Sequence, residues 1–164
     1  MDMTGIENNR AHTDVGEIPE FQFRMLMGLA ILLAGCLAYL NTISADWVWD
    51  DVSSVLLHKH VHEPGKFFQL FREDQHAFGR GSGIFYRPLV AASFMGDFSL
   101  SYSPAQDGLA HAGYPDVKPF LFHLSNLLWH VAASLLLFLL LRRLGAPRTV
   151  SIVASMLYVL HPLH

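Results

Sequence analysis

The sequence predicts an all-α membrane protein, with about three transmembrane helices and a long outer loop carrying short interfacial helices. Three observations predict it. Hydrophobic residues make up 52% of the 164-residue chain and charged residues only 15%, whereas soluble domains carry about a quarter charged residues. Residues 25–43 and 120–141 contain no Asp, Glu, Lys or Arg, and each reaches the roughly 20 residues that a helix needs to cross a bilayer. Arginines crowd one short turn, RRLGAPR at 142–148, and such crowding marks the cytoplasmic side of a span.

Taken in order, residues 1–20 are polar, mildly acidic and without periodicity, and read as a flexible tail. Residues 25–43 follow, with Arg24 at their edge. A cleaved signal peptide is the rival reading, but its apolar core would be shorter, about 7–15 residues, so a retained helix is expected. The outer loop, 44–119, contains two apolar pieces too short to span. PGKFFQLF at 64–71 reads as an amphipathic helix with Phe67, Phe68 and Phe71 on one side. PLVAASFMGDFSL at 88–100 has Pro at a first helical position and Asp97 inside it, which favours a helix lying on the membrane surface. Residues 102–115 are rich in Gly, Pro, Ser and Asp and read as loop. The second span is 120–141. The third, 147–160, is short, and the sequence ends HPLH.

Arg142, Arg143 and Arg148 place their turn in the cytoplasm, so the N-terminus lies there too, and 44–119 and HPLH face outside. The domain organisation expected is therefore a tail, 1–20, and one transmembrane unit, 21–164. The net charge is −3, and nothing in it suggests a nucleic-acid partner. The single cysteine, Cys36, allows neither an internal disulfide nor a cysteine-based metal site.

Four groups of residues could carry chemistry. Asp50 and Asp51 follow Trp47-Val48-Trp49 just beyond the first span. One carboxylate could take a proton from a hydroxyl while the other orients it or holds a cation; the plainer alternative is a solvated pair capping a helix start. Tyr86-Arg87-Pro88-Leu89 sets a guanidinium at a helix N-terminus, an arrangement that grips phosphate, and beside a membrane the nearest phosphate belongs to a lipid. Simple snorkelling of Arg87 to ordinary headgroups is its alternative. His123, Asn126 and His130 share one face of the second span, facing other helices or a wet cavity, with interhelical hydrogen bonding as the role without chemistry. His161 and His164 flank Pro162 beyond the third run, and His58, His60 and His62 alternate in HKHVH. Either histidine group could ligate a metal, although neither matches a complete zinc motif, and HKHVH is expected to be a solvated loop.

The strings WVWDD (47–51), YRPL (86–89) with Ser93-Phe94 downstream, FHLSNLLWH (122–130) and HPLH (161–164) stand in an order that resembles the opening of GT-C-type glycosyltransferases. The resemblance is more specifically to the transmembrane and tetratricopeptide-repeat protein O-mannosyltransferases and their bacterial relatives, and it covers about residues 25–164. It implies transfer of a sugar, such as mannose, from a polyprenyl-phosphate donor to a hydroxyl of a protein or glycan acceptor. Asp50 would match the catalytic acidic residue of the first outer loop and Asp51 its partner. Arg87, with Tyr86, would lie near the lipid-phosphate pocket, and His161 and His164 at the second outer loop. A divalent cation, Mg or Mn, could assist. The expected location is a multi-pass position in a bacterial inner membrane or the endoplasmic reticulum. The chain would then be the N-terminal portion of a longer enzyme. Two readings of other classes stand beside this one: a small non-catalytic membrane protein that works by helix association, and a haem- or metal-binding protein built on His123 and His130.

Overall fold

A computed structural model describes residues 18–48, 50–75, 78, 85–102 and 117–161. These residues are helical, with no strand among them. Four α-helices carry the fold: α1 (Glu20–Tyr39), α2 (Pro88–Ser101), α3 (Phe120–Arg143) and α4 (Arg148–Leu160). Short 3₁₀ turns at Leu40–Ser44, Lys59–His62 and Pro64–Phe71, and a π turn at Val52–Leu56, connect α1 to α2.

Helices α1, α3 and α4 pack into one bundle around Phe23, Ile31, Phe138 and Val159. Small residues let the backbones approach, as is usual where helices associate in lipid. Ser134, Ser151 and Ser155 are fully buried. Gly35 is the closest approach: a Cβ there would stand 2.7 Å from Val131 Cγ2 and 2.9 Å from Val159 Cγ2. Leucines on the outer faces stay exposed, Leu37 at 78% and Leu136 at 66%. An apolar surface of that kind marks contact with lipid or with other helices.

Two helical stretches, Glu20–Ser44 and Phe120–Arg143, are long and apolar enough to cross a membrane. The first starts five residues before the apolar run because Arg24 Nε donates to Glu20 Oε1 at 2.9 Å, an i,i+4 pair that extends the helix outward. It is also an integral part of the packed bundle, with Ile31 fully buried. The expected third span is α4. Its 13 residues rise only about 20 Å, against a hydrocarbon core of about 30 Å, so α4 by itself does not complete a crossing.

The α3–α4 turn follows from its sequence. Gly145 takes φ = 79°, its N–H meets the Arg142 carbonyl at 3.3 Å, and the Ala146 N–H meets the Leu141 carbonyl at 3.0 Å. This is the glycine-terminated helix end that satisfies the last carbonyls, and Pro147 then starts α4. The turn folds back onto α1. Glu20 receives Arg142 at 2.8 Å and Arg148 at 3.4 Å as well as Arg24, while the guanidiniums of Arg142 and Arg148 lie over the Phe23 ring.

The outer segment has its own core of Val55, Val61, Leu70, Ala91, Phe94, Met95, Phe98, Val117 and Phe122. Helix α2 roofs it, packing on the first turns of α3 and on the 3₁₀ turns. In Pro64–Phe71, Leu70 points into this core while Phe67, Phe68 and Phe71 cluster on the exposed side, Phe68 at 78%, as the amphipathic pattern predicted.

The HKHVH segment departs from the expected solvated loop. His58 is 1% exposed, its ring edge-on to Phe78. His62 is stacked on Phe98 at 4.2 Å and hydrogen-bonded to the Val55 carbonyl at 2.7 Å. Neutral imidazole is flat and largely apolar in area, so two phenylalanines can cover it at modest cost. The alternation read as a solvated loop places Val61 in the core with a histidine on either side. Among the described residues, no three His, Cys, Asp or Glu side chains come together as metal ligands.

Candidate functional site

The loop after α1 separates the two aspartates by role. The Asp51 Oδ2 accepts the Val48 N–H at 3.0 Å, and the Asp51 N–H donates to the Val48 carbonyl at 2.9 Å. The two bonds close the Val48–Asp51 turn on itself, so Asp51 is engaged structurally. Asp50 is exposed; its carbonyl accepts the Ser53 hydroxyl at 3.1 Å, and its carboxylate has no partner among the described residues. Asp51 makes no side-chain cap bond to the Val52–Leu56 turn that follows it; its carboxylate reaches back to Val48 instead. Trp47 anchors the strand of backbone leading to them: its ring is edge-on to Phe122 at 5.1 Å and its Nε1 donates to the Val117 carbonyl at 3.3 Å. Trp49 lies outside the described residues.

Arg87 is the residue immediately before α2. Asp74 Oδ2 accepts the Phe85 N–H at 2.6 Å, the Gln75 N–H donates to the Phe85 carbonyl at 2.9 Å, and the Tyr86 hydroxyl donates to the Phe71 carbonyl at 2.8 Å. Residues 85–87 are thereby pinned to the end of Pro64–Phe71. The Arg87 guanidinium is left exposed over the Phe85 ring, 5.4 Å from its centroid, beside the unsatisfied N–H groups of the first turn of α2. A guanidinium at a helix N-terminus is an arrangement that can receive an anion.

The polar face of α3 divides three ways. His130 sits between α1 and α4, edge-on to Tyr39 at 5.2 Å and stacked on Tyr158 at 5.6 Å, with its Nε2 on the Val159 carbonyl at 3.1 Å. That contact serves helix packing. The Tyr39 hydroxyl donates to the His161 carbonyl at 2.8 Å, so the end of α4 closes on the same cluster. His123 keeps a buried Nε2 without a partner. Asn126 is exposed and lines a groove of about 550 Å³ between α2 and α3, with Leu89, Ser93 and Trp129. His164 lies outside the described residues.

Sequence reasoning passed over one pair. Asp97 on α2 is 9% exposed and accepts the Ser125 hydroxyl of α3 at 2.5 Å. Burial pushes its carboxyl above the ordinary value, and the Ser125 hydrogen bond opposes this in part. One turn earlier, Trp129 Nε1 donates to Ser93 Oγ at 3.0 Å. These two bonds fasten α2 across α3. The signal was present, an aspartate inside an apolar helix, but choosing its partner required knowing that α2 crosses α3.

Comparison with known proteins follows the same line as the motifs. The chain is 28% identical over 152 residues to the mouse protein O-mannosyl-transferase TMTC3, covering 91% of this chain and 15% of that protein. It is 30% identical over 129 residues to the human protein O-mannosyl-transferase TMTC3, covering 77% of this chain and 12% of that one. Against the Drosophila melanogaster protein O-mannosyl-transferase Tmtc1 it is 33% identical over 140 residues, 80% of this chain and 15% of the relative. The chain thus spans a small part of the length of the relatives it matches, while the match runs through most of the chain. No protein-family model and no solved structure matches it.

Proposed function

From this kinship with the protein O-mannosyl-transferases, we propose that the chain forms part of the membrane domain of a GT-C-like glycosyltransferase. It would move a sugar, by analogy mannose, from a polyprenyl-phosphate donor to a hydroxyl of a protein or glycan acceptor. The observation that carries the proposal is the similarity over most of the chain, joined to an exposed and unpaired Asp50 carboxylate just past the end of α1.

In the proposed step Asp50 takes the proton of the acceptor hydroxyl. The acceptor oxygen bonds to the anomeric carbon, the bond from that carbon to the phosphate oxygen breaks, and polyprenyl phosphate leaves with the electron pair. Arg87 and the N-terminus of α2 hold the phosphate, and their charge counts most as the leaving oxygen becomes negative. Tyr86 belongs to the same corner, its hydroxyl fixing the backbone that presents Arg87. Asp51 keeps the loop in shape. His161 closes the neighbouring end of the bundle through its carbonyl, and His164 is assigned to the same outer end on resemblance. Mg or Mn typically uses one or two carboxylates together with substrate phosphates. Here that would mean Asp50 and the donor, since the described residues build no cage of their own.

The positive-inside rule favours the arginine end of the bundle in the cytoplasm and the 44–119 segment outside, in a bacterial inner membrane or the endoplasmic reticulum. The test is transfer of mannose from a polyprenyl-phosphate donor by a complete enzyme containing this segment. Asp50→Asn should lower turnover by about 10²–10⁴, the usual worth of a general base, with donor binding kept. Arg87→Ala should weaken donor binding as well. Near-normal turnover in Asp50→Asn would end the assignment of the base.

A further inference from the structure

At the arginine end of the bundle a groove of about 510 Å³ runs between α1 and α3, lined by Gly28, Leu29, Leu32, Leu135 and Leu139, with Arg24 at its head. Two features make it more than an apolar crease. Arg24 spends only Nε on Glu20, and its terminal nitrogens have no partner among the described residues. Glu20 is in turn shared with Arg142 and Arg148, so one carboxylate faces three guanidiniums. The terminal nitrogens of Arg24 therefore stand at the mouth of an apolar channel, and that side of a guanidinium presents two parallel N–H donors that match a phosphate.

We propose that this groove seats an anionic phospholipid, with its phosphate diester on the terminal nitrogens of Arg24 and one acyl chain along α1 and α3. Charge complementarity selects this occupant. A purely apolar partner would leave the guanidinium unpaired, and a zwitterionic lipid would bring its own cation toward Arg24. The Gly28 position gives the chain room: a Cβ there would meet only Leu135 Cδ2, at an ordinary 3.8 Å, so a larger side chain would project into the groove without breaking the bundle.

The test is native mass spectrometry of the purified chain titrated with phosphatidylglycerol and with phosphatidylcholine of identical acyl chains. Phosphatidylglycerol should be retained about tenfold better, the worth of one charge-assisted contact. Arg24→Gln should bring it to the phosphatidylcholine level, Arg24→Lys should keep part of the preference, and Gly28→Leu should lower retention of both lipids. Arg143→Gln, an exposed arginine outside the groove, should change nothing. Circular dichroism confirms that each variant keeps its helices; if Arg24→Gln does not, Arg24→Lys and Gly28→Leu carry the test. Equal retention of the two lipids by the wild type overturns the proposal. So does a preference that survives Arg24→Gln or falls equally with Arg143→Gln, retention untouched by Gly28→Leu, or a lipid-free dimer.

Discussion

The bundle of α1, α3 and α4 and the outer segment under α2 are held together by different means. In the bundle, three helices meet at Gly35 and at buried serines, and charged groups gather at one end around Glu20. The outer segment is built from short turns and α2 around a core of aliphatic side chains with Phe94, Phe98 and Phe122, and its buried polar groups are Ser54, His58, Gln75 and Asp97. The bundle works by close backbone approach in lipid, where apolar burial between helices gains little over apolar contact with lipid. The outer segment works as a small soluble domain does, by taking rings out of water. The groups proposed to do chemistry, Asp50 and Arg87, both belong to the second kind of structure.

The sharpest way to test that division is to compare the adjacent aspartates. In a complete enzyme, Asp50→Asn should cost about 10²–10⁴ in turnover and leave thermal unfolding unmoved. Asp51→Ala should instead lower stability by about 1 kcal/mol through loss of the Val48 closure, read as a shift in thermal midpoint. If the two variants behave alike, the assignment of separate roles fails.

The next effect belongs to the bundle. Gly35→Val puts side-chain atoms where even a Cβ is 2.7 Å from Val131, and overpacking of this kind costs about 1–3 kcal/mol. Gly28→Ala, with its nearest neighbour at 3.8 Å, should be nearly neutral. Unfolding of both variants in the same detergent gives the comparison, and equal stability would show that α1 is not fixed in place at Gly35.

The smallest effect is a pH dependence confined to the outer segment. Burial pushes the imidazoles of His58 and His62 below 6.5, with Glu73 near His58, and the Val55 carbonyl and then Glu63 near His62, opposing in part. Between the folded and unfolded values the unfolded chain binds more protons, so this contribution to stability is complete above pH 6.5 and is lost as the pH falls below it. Asp97 works the other way: its raised value means stability declines as the pH rises from 3.8 through the folded value. Amide protection, corrected for the intrinsic pH dependence of exchange, should therefore fall around Val61 on mild acidification while that of Ile31 and Phe138 is kept. His58→Phe should blunt the change, and loss of protection in both regions together would contradict the separation.

How legible each region was in the sequence follows from the same contrast. Residues 25–43 and 120–141 are visible as spans because a bilayer demands a long uncharged run and little else. The turn at Gly145 and Pro147 is legible because only a few residue types end a helix that way. The outer segment is written in contacts between residues far apart in the chain. His62 alternates with His60 and looks solvated until Phe98 is laid over it, and Asp97 looks interfacial until Ser125 of α3 is brought beneath it. The polar face of α3 was visible by periodicity, yet His130 and Asn126 went to different neighbours because α4 covers one side and α2 the other. Asp50 and Asp51 are indistinguishable as letters, and only the path of the backbone at Val48 tells them apart.

Glu20 stands at one end of the chain's described helices and its partners Arg142 and Arg148 at the other. While the protein is being made, Glu20 has Arg24 alone for company until more than a hundred further residues have followed. Only when α3 has turned at Gly145 and brought its arginines back does the carboxylate acquire its other two partners. The cluster therefore closes only after α3 and its turn are in place, and a bundle in which α3 lay the wrong way round would leave Glu20 without its Arg142 and Arg148 partners.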